Sequence, residues 1–229
     1  MAALIKATNI TKVYHKTSVP VRAINNLSVE IQEGEFTAIV GPSGCGKTTL
    51  LNILGGLDQP TSGTVMIDGV DISRMKDSEL IDFRLHNIGF VFQAYNLIPV
   101  LTALENIEFI MLLQKQSRRE RVARAKELLE QMNIADKADH RPGQLSGGQQ
   151  QRVAVARALA SKPRFILADE PTANLDSVST ENLLDLMARI NREQNATFVF
   201  STHDQRVMDK ARRLIRLVDG AIVSDEVRS

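Results

Sequence analysis

Apolar and polar positions alternate through the first forty residues, as in Leu4-Ile5-Lys6-Ala7 and Leu27-Ser28-Val29-Glu30-Ile31. Alternation with a period of two is typical of strands that bury one face. The turn residues Glu33-Gly34-Glu35 follow, and we expect a small antiparallel sheet here. Further on, Thr64-Val65-Met66-Ile67 and then Asp68-Gly69 have the pattern of another strand and turn.

The middle of the chain changes to helical spacing. The pattern predicts a short helix from Asp77 to Leu85 and an apolar strand from Ile88 to Gln93. From about Pro99 to Ser161 the strand signal is lost, and one face of a charged helix is apolar. The residues on that face are Val122, Ala125, Leu128, Leu129 and Met132.

Strands return at Phe165-Ile166-Leu167-Ala168 and Thr197-Phe198-Val199-Phe200-Ser201, separated by a helical stretch from Thr180 to Arg192. This βαβ pattern predicts a parallel sheet covered by helices. A hairpin of Leu214–Val218 and Ala221–Val223 closes the chain. We therefore expect an α/β protein with an N-terminal antiparallel β subdomain and an α-helical insertion.

Composition narrows the class of protein. The 229 residues suffice for one sizeable domain. The 28 Lys plus Arg balance 27 Asp plus Glu, so the overall charge argues neither for a nucleic-acid coat nor for an acidic tail. The single cysteine, Cys45, excludes an intrachain disulfide and fits a reducing compartment such as the cytoplasm. No apolar run approaches the roughly 18 to 20 residues that span a bilayer, and we expect no signal peptide.

The sequence Gly41-Pro42-Ser43-Gly44-Cys45-Gly46-Lys47-Thr48 follows the apolar run Thr37–Val40 and precedes another, Leu50–Leu54. This order predicts a strand, a phosphate-binding loop and a helix, and therefore a nucleoside triphosphate site. Backbone N–H groups and the helix N-terminus favour the phosphates, Lys47 reaches the terminal ones, and Thr48 offers a hydroxyl to Mg2+. Thr49 belongs to the same binding set.

Cys45 occupies an unspecified position of the phosphate-loop pattern. A helix N-terminus lowers the pKa of a thiol, which would favour a reactive cysteine. We interpret Cys45 as a filler within the loop, although its alkylation would block ATP sterically.

Two acidic residues, Asp169 and Glu170, end the apolar strand that begins at Phe165. Hydrolysis of a phosphoanhydride needs a held metal and a residue that orients water. We assign Asp169 to the Mg2+ shell and Glu170 to the water. Two solvated acids after a strand are the alternative, and the upstream phosphate loop favours the functional interpretation.

A second phosphate-binding helix start is predicted at Leu145-Ser146-Gly147-Gly148-Gln149, before a helix that runs from Gln150 to Ala160. Ser146 can cap this helix, and the two glycines leave backbone N–H groups free to meet an anion. Taken alone, the same pentapeptide would fit an ordinary flexible turn with a serine cap.

These three motifs, in this order, closely resemble the ATP-binding subunits of ABC transporters over essentially the whole chain. The resemblance implies a P-loop NTPase (RecA-like) core with a mostly parallel sheet, and ATPase activity with ATP and Mg2+. It implies one ATP-binding domain over 1–229, with the core at 1–93 and 162–229 and the helical subdomain at about 94–161.

The resemblance also assigns further site residues. Tyr14 resembles the aromatic residue that stacks on adenine, although on residue type alone a tyrosine at a strand end is as good an interpretation. Gln93 resembles the glutamine that contacts Mg2+ and water and relays the nucleotide state, and His203 the switch histidine that contacts the γ-phosphate. Asn174-Leu175-Asp176 matches the segment through which two protomers touch.

The resemblance thus assigns three sets of residues. The catalytic residues are Lys47, Gln93, Glu170 and His203. The metal-binding residues are Thr48, Gln93 and Asp169. Further contacts to the nucleotide are assigned to Ser146, Gly147, Gly148 and Gln149.

A homodimer follows from the resemblance. In the family, the serine-glycine helix start of one protomer completes the nucleotide site of the other, so two composite sites close on ATP and open after hydrolysis.

Two further segments resemble the LolD and MacB branch, which acts in lipoprotein release and macrolide efflux. They are Leu54–Asp58 with Pro60–Gly63, and Asn96–Pro99 with Leu101–Asn106. MacB fuses this domain to its membrane part, whereas this sequence stops at Ser229. We therefore expect the LolD-like arrangement with a separate transmembrane permease subunit. The chain would then act as a peripheral subunit at the cytoplasmic face of the inner membrane.

Two other functions share the motifs. A divisome-type ABC ATPase that signals across the membrane has all of them. A soluble ABC ATPase acting on nucleic acid or ribosomes usually has two nucleotide units or a long coiled-coil insertion, and the neutral charge gives no basic stripe, so we expect no nucleic-acid partner. The transported substrate and its direction are not encoded in these motifs.

Overall fold

The computed structural model describes residues 3–15 and 20–228, and this part of the chain holds ten strands and seven α-helices. The strands are β1 Ile5–Tyr14, β2 Val21–Ile31, β3 Phe36–Val40, β4 Ser62–Ile67, β5 Val70–Asp71, β6 Ile88–Val91, β7 Phe165–Asp169, β8 Thr197–Thr202, β9 Arg213–Val218 and β10 Ala221–Val227. The helices are α1 Lys47–Leu54, α2 Asp77–Asn87, α3 Ala103–Leu113, α4 Arg118–Gln131, α5 Gly147–Ala160, α6 Ser177–Gln194 and α7 Gln205–Lys210. Two short 3-10 helices, Ala135–Lys137 and Pro142–Gln144, lie between α4 and α5.

The larger sheet has the strand order β10-β9-β3-β8-β7-β6. β10 pairs antiparallel with β9, and the other neighbouring strands pair in parallel. The predicted parallel sheet and closing hairpin are therefore present. Because parallel strands end at the same edge, the residues that follow β3, β6, β7 and β8 are brought together there.

The smaller sheet is antiparallel, with the order β2-β1-β4-β5. It contains the two strands expected in the first forty residues and the later strand over Thr64 to Ile67. β3 leaves this sheet and pairs with β8 and β9 in the parallel one. The turn at Glu33–Glu35 is thus the passage between the two sheets.

Helices α3, α4 and α5 lie between β6 and β7 in the chain, where the sequence predicts a helical insertion. The predicted apolar face of α4 is buried at Ala125, Leu128, Leu129 and Met132, while Val122 is half-buried. The strand before this region ends at Val91 and not at Gln93 as the sequence suggests, so Gln93 lies in the loop that follows.

Both faces of the parallel sheet are covered. Phe36, Phe198 and Phe200 pack into the hydrophobic cluster that includes α4, α5 and α6. Ile39 and Leu167 point into a second cluster, which includes α1 and the antiparallel sheet. Burial on two sides explains why β3 and β8 are buried at every position and do not alternate between apolar and exposed polar residues.

Within the described residues, none of the helices combines the length and the apolar character required to cross a bilayer.

Candidate nucleotide site

The phosphate-binding loop runs from the end of β3 to the start of α1. Lys47 is the first residue of α1 and is only 8% exposed. Its Nζ donates hydrogen bonds to the carbonyl oxygens of Gly41 at 2.9 Å and Pro42 at 3.0 Å. Gly46 caps the helix with a φ of 105°, and a Cβ there would collide with the carbonyl oxygen of Ala23, so glycine is required. The ammonium group is therefore held inside the loop at a helix N-terminus, an arrangement that binds phosphate.

A cleft of about 520 Å³ opens beside this loop, a size typical of cofactor sites. It brings together loop residues with side chains that follow β6, β7 and β8. The residues lining it are Ala23, Gly41, Pro42, Ser43, Gly44, Gly46, Lys47, Thr48, Thr49, Gln93, Glu170, Ala173 and His203.

Thr48 and Asp169 meet at the base of the site. The Thr48 hydroxyl donates to Asp169 Oδ1 at 3.0 Å. Mg2+ prefers oxygen ligands and is usually held by one or two carboxylates together with water and substrate phosphates. In the part of the chain that the structure describes, no three His, Cys, Asp or Glu side chains form a metal-binding group. A hydroxyl beside a single carboxylate therefore fits a metal that takes most of its ligands from water and nucleotide.

Glu170 and His203 form a hydrogen-bonded pair in the cleft. Glu170 Oε1 lies 2.8 Å from His203 Nδ1, and the Thr202 hydroxyl is 3.4 Å from Glu170 Oε2. The Glu170 side chain is 16% exposed and that of His203 is 73% exposed. Glu170 has a φ of 46°, an uncommon backbone conformation for a residue other than glycine. Its N–H donates to the carbonyl oxygen of Ser201 at 2.9 Å, so the end of β8 supports this conformation.

The loop after β6 is connected to the loop after β7. Gln93 lines the cleft, and its carbonyl oxygen accepts a hydrogen bond of 2.9 Å from Asn174 Nδ2. The Tyr95 hydroxyl lies 3.4 Å from the Asn174 carbonyl oxygen. Asp176 caps α6 by accepting from the N–H of Ser179 at 2.8 Å, and the hydrogen bonds from Ser179 hold the pKa of this carboxyl below its usual value. The segment assigned to protomer contact therefore borders the cleft.

The serine-glycine helix start is outside the cleft of this protomer. Ser146 is exposed and caps α5, accepting from the Gln149 N–H at 3.3 Å, while Gln149 Oε1 accepts from the Ser146 N–H at 2.9 Å. This reciprocal capping box fixes the first turn of α5. Ser146, Gly147, Gly148 and Gln149 are absent from the residues that line the cleft.

Tyr14 and Cys45 also lie outside the cleft lining. The Tyr14 hydroxyl donates to Asp58 Oδ2 at 2.7 Å, and the tyrosine is half-buried at the end of β1. Cys45 is only 4% exposed within the loop. Its burial agrees with the interpretation of a filler residue.

Comparison with known families agrees with this arrangement. The family model described as "ABC transporter" matches residues 24–173, which is most of the chain. The chain belongs to the ABC transporter family. The family assignment confirms the expectation that this chain is an ATPase. It also confirms the expected α/β fold class, which is that of the family's ATP-binding cassettes.

Relatives of this ABC protein include members of the predicted branch. It is 49% identical over 228 residues to an uncharacterised ABC transporter ATP-binding protein of Thermotoga maritima, covering 100% of this chain and 97% of the relative. It is 43% identical to the lipoprotein-releasing system ATP-binding protein LolD of Geobacter metallireducens, covering 98% of this chain and 100% of LolD. It is 46% identical to the macrolide export ATP-binding/permease protein MacB of Brucella melitensis, covering 99% of this chain but only 35% of MacB. The resemblance to the LolD and MacB branch is therefore confirmed.

Solved structures of one relative have the same fold. Two structures of the ATP-binding cassette MJ0796 of Methanocaldococcus jannaschii superpose with a TM-score of 0.91 at 46% identity, covering 98% of this chain and 99% of MJ0796. Both are described as dimeric, and one is a post-hydrolysis state bound to ADP and Pi.

Two residues of this ABC cassette that support the site, Arg157 and Asp58, were missed by sequence reasoning. Arg157 of α5 donates to the carbonyl oxygens of Asn96 at 2.5 Å and Tyr95 at 2.9 Å, and burial lowers its pKa. Asp58 holds the Tyr14 hydroxyl. Arg157 is the one charged residue in the otherwise apolar Val153–Ala160 stretch, and this position could have indicated a buried arginine that binds polar groups. No sequence pattern indicates the contact between Tyr14 and Asp58, which are 44 positions apart.

Proposed function

We propose that this ABC ATPase works as a head-to-tail homodimer with two composite ATP sites and drives a separate transmembrane permease of the LolD and MacB type. The observation that carries the proposal is the incompleteness of one protomer. Its cleft has the phosphate loop, Glu170 and His203, but the capped start of α5 lies exposed elsewhere. Free N–H groups at a helix N-terminus suit an anion, and a second protomer can bring them to the nucleotide. The dimeric structures described for MJ0796 support this arrangement.

Within each site, the residues have distinct roles. Lys47 and the loop N–H groups hold the phosphates, and Tyr14 stacks on the adenine. Glu170 orients and polarises the attacking water, while His203 holds the Glu170 carboxylate and contacts the γ-phosphate. Thr48, Asp169 and Gln93 would hold Mg2+, which when bound neutralises charge on the phosphates. In the closed dimer, Ser146, Gly147, Gly148 and Gln149 contact the nucleotide on the partner subunit.

Exposed apolar side chains on α2 and α3 support the proposal of a transmembrane partner. Large hydrophobic side chains are exposed on neighbouring helices, including Ile81 of α2 at 57% and Leu112 of α3 at 49%. Gln114 Nε2 donates to the Leu85 carbonyl oxygen at 2.9 Å, which joins the ends of these two helices. A groove of about 250 Å³ lies nearby, lined in part by Phe90, Phe92, Ile110 and Arg157. Exposed apolar patches of this kind mark protein contacts. With the permease in the membrane, the chain is a peripheral subunit at the cytoplasmic face.

One domain organisation follows from the proposal. Residues 1–229 act as a single ATP-binding domain, with the core at 1–93 and 162–229 and the helical subdomain at about 94–161. The helical subdomain contains α3 of the apolar surface and α5 of the second phosphate-binding helix start. Closure of the dimer on ATP would therefore move the permease contact together with the composite site.

The direct test is the variant Glu170→Gln. Glutamine keeps the size of the side chain but is a far weaker base, so ATP hydrolysis should fall by at least about 100-fold. Binding of ATP should persist, and the ATP-bound dimer should accumulate in gel filtration. The exposed Glu226→Gln is the control and should hydrolyse ATP like the wild type. Wild-type turnover in Glu170→Gln would remove Glu170 from the mechanism, and a monomer in saturating ATP would contradict the composite site.

A further inference from the structure

Tyr14, Asp58 and Lys12 form a cluster of three side chains outside the cleft. Tyr14 Oη donates to Asp58 Oδ2 at 2.7 Å, and Lys12 Nζ donates to Asp58 Oδ1 at 2.5 Å. Lys12 Nζ also donates to the carbonyl oxygen of Gln59 at 2.7 Å. The side chains of Lys12 and Asp58 are 13% and 28% exposed. Asp58 therefore bridges the lysine and the tyrosine in a partly buried setting, where hydrogen bonds to a charged group are strong.

The cluster joins the tyrosine to the phosphate-loop helix. The N–H of Asp58 donates to the carbonyl oxygen of Asn52 in α1 at 3.2 Å. The Tyr14 ring is thus fixed relative to the loop that holds the phosphates.

Lys12 occupies a defined position over the ring. Its Nζ lies 5.0 Å from the centroid of the Tyr14 ring, within the range of a cation–π contact. Tyr14 is only half-buried beside this cation, so part of the residue stays accessible to a flat group.

We propose that Asp58, together with Lys12, is a positioning residue that presets the Tyr14 ring for the adenine base and so contributes to the selectivity for nucleotides over bare phosphates. This inference rests on the proposed stacking of adenine on Tyr14. Its physical basis is preorganisation: a ring that is already immobilised loses little rotamer entropy when the base binds.

The hydrogen bond between Tyr14 and Asp58 can be tested by absorbance spectroscopy in the absence of nucleotide. The protein has two tyrosines and no tryptophan, so in a Tyr95→Phe background the ultraviolet absorbance of phenolate reports Tyr14 alone. Burial raises the pKa of Tyr14, and the hydrogen bond to the Asp58 carboxylate raises it further. Asp58→Ala should therefore shift the alkaline titration of Tyr14 to lower pH. An unchanged titration would show that Asp58 does not hold the hydroxyl, and would overturn the proposal.

The consequence for binding is tested by calorimetry with two probes, ATP and inorganic tripolyphosphate, each with Mg2+. We expect Asp58→Ala to weaken ATP binding about 3- to 10-fold, because the Tyr14 side chain must then be immobilised when ATP binds. The kcat at saturating ATP should change little. Tripolyphosphate has no base, so its affinity should be unchanged. Asp58→Asn keeps an acceptor for the hydroxyl and should restore most of the ATP affinity. Glu30→Ala removes the 2.6 Å ion pair of Glu30 with Lys6 in the same sheet and is the matched control, with both affinities unchanged.

The variant Tyr14→Ala separates this inference from the proposed function. If it weakens ATP binding and Asp58→Ala then adds nothing in its background, both ideas are supported. If Tyr14→Ala weakens ATP binding but Asp58→Ala alone does not, only the positioning role fails. If Tyr14→Ala leaves ATP affinity unchanged, adenine does not stack on Tyr14, and the positioning role fails with it. Equal weakening of ATP and tripolyphosphate in Asp58→Ala would indicate damage to α1 and would also overturn the inference.

Discussion

At the scale of single residues, Lys47 shows how the loop is prepared for phosphate. Its buried ammonium group is satisfied by two carbonyl oxygens of its own loop. These contacts compensate the cost of burying a charge and keep the lysine in place before nucleotide binds. The side chain is therefore part of the loop structure, in addition to its proposed role as a ligand to the phosphates.

We expect Lys47→Ala to lose most of its affinity for ATP. A hydrogen bond with a charged group contributes about 1.5 to 3 kcal/mol, so Kd should rise by about 10- to 100-fold or more. The exposed Lys6→Ala, on the antiparallel sheet, is the control and should bind ATP normally. Isothermal calorimetry measures both, and an unchanged Kd in Lys47→Ala would contradict the phosphate-loop assignment.

Asp204 gives a residue-scale prediction about pH. It caps α7 by accepting from the Arg206 N–H at 2.9 Å, pairs with the Arg206 guanidinium, and accepts from the Thr172 hydroxyl at 3.1 Å. The hydrogen bonds from Arg206 lower the pKa of Asp204 from its ordinary 3.8 in the folded protein. The folded state therefore favours the ionised form. This contribution to stability is fully present above about pH 3.8 and is lost as the pH falls through the lower folded-state pKa.

Urea unfolding of Asp204→Asn at two pH values tests this linkage. At pH 7 the variant should have a free energy of unfolding about 1 to 2 kcal/mol below that of the wild type, from the weakened cap and ion pair. At about pH 3 the difference should shrink, because the Asp204 carboxyl of the unfolded wild-type chain, with its ordinary pKa of 3.8, then binds a proton that the folded state disfavours. The exposed Asp139→Asn should show no difference at either pH. A deficit in Asp204→Asn that is equal at both pH values would show that ionisation of Asp204 is not linked to folding.

How far the sequence predicts individual residues depends on their separation in the chain. The helix cap at Ser146 and the strand before Asp169 are local, and the structure has both. The contacts of Glu170 with His203 and of Tyr14 with Asp58 join residues 33 and 44 positions apart. The first pair is suggested by two strands that end at one edge. The second depends on how β1 packs beside the loop between α1 and β4, which no local pattern encodes.

At the scale of elements, local features are again predictable from the sequence, whereas pairing between distant segments is not. Helices α2, α5 and α6 were predicted because their periodicity and caps lie within the segments themselves. The passage of the chain from β2 in one sheet to β3 in the other was not predicted, since Phe36–Val40 is only five residues long and follows a turn typical of hairpins. β3 is buried on both faces, and its partners β8 and β9 come more than 150 positions later in the chain.

The start of α5 gives a prediction at this scale. A Cβ on Gly147 would lie 2.8 Å from the Tyr95 hydroxyl, which itself contacts the Asn174 carbonyl oxygen. Gly147→Ala should therefore displace Tyr95 and disturb the connection between the loops after β6 and β7. Because alanine favours helix over glycine, the stability of the monomer should not fall. We expect ATPase activity to drop about tenfold, equivalent to about 1.4 kcal/mol.

Two further variants make this test specific. Tyr95→Phe added to Gly147→Ala removes the colliding hydroxyl and should recover activity. Gly143→Ala is the matched control, since a Cβ there meets none of the described residues within 4 Å. If Tyr95→Phe recovers nothing, the loss in Gly147→Ala comes from the helix start itself and not from the loop connection.

At the scale of the whole molecule, the composite site makes a prediction about mixtures of variants. Ser146→Arg puts a long cation at the exposed start of α5, where it should block closure of the dimer while leaving ATP binding to the monomer intact. Lys47→Ala should fail for the opposite reason, because its own loop no longer holds ATP. Each variant alone should therefore give neither an ATP-dependent dimer nor ATPase activity.

Mixed together, the two variants can form one complete site. That site takes Lys47 from the Ser146→Arg protomer and Ser146 from the Lys47→Ala protomer, whereas the second site is empty of ATP and has room for the arginine. A head-to-tail pair should thus recover an ATP-dependent heterodimer in gel filtration, together with part of the ATPase activity. If every protomer encloses its nucleotide alone, mixing adds nothing, because neither chain carries both intact parts. Only a site built from residues of both protomers can therefore produce a heterodimer and ATPase activity on mixing.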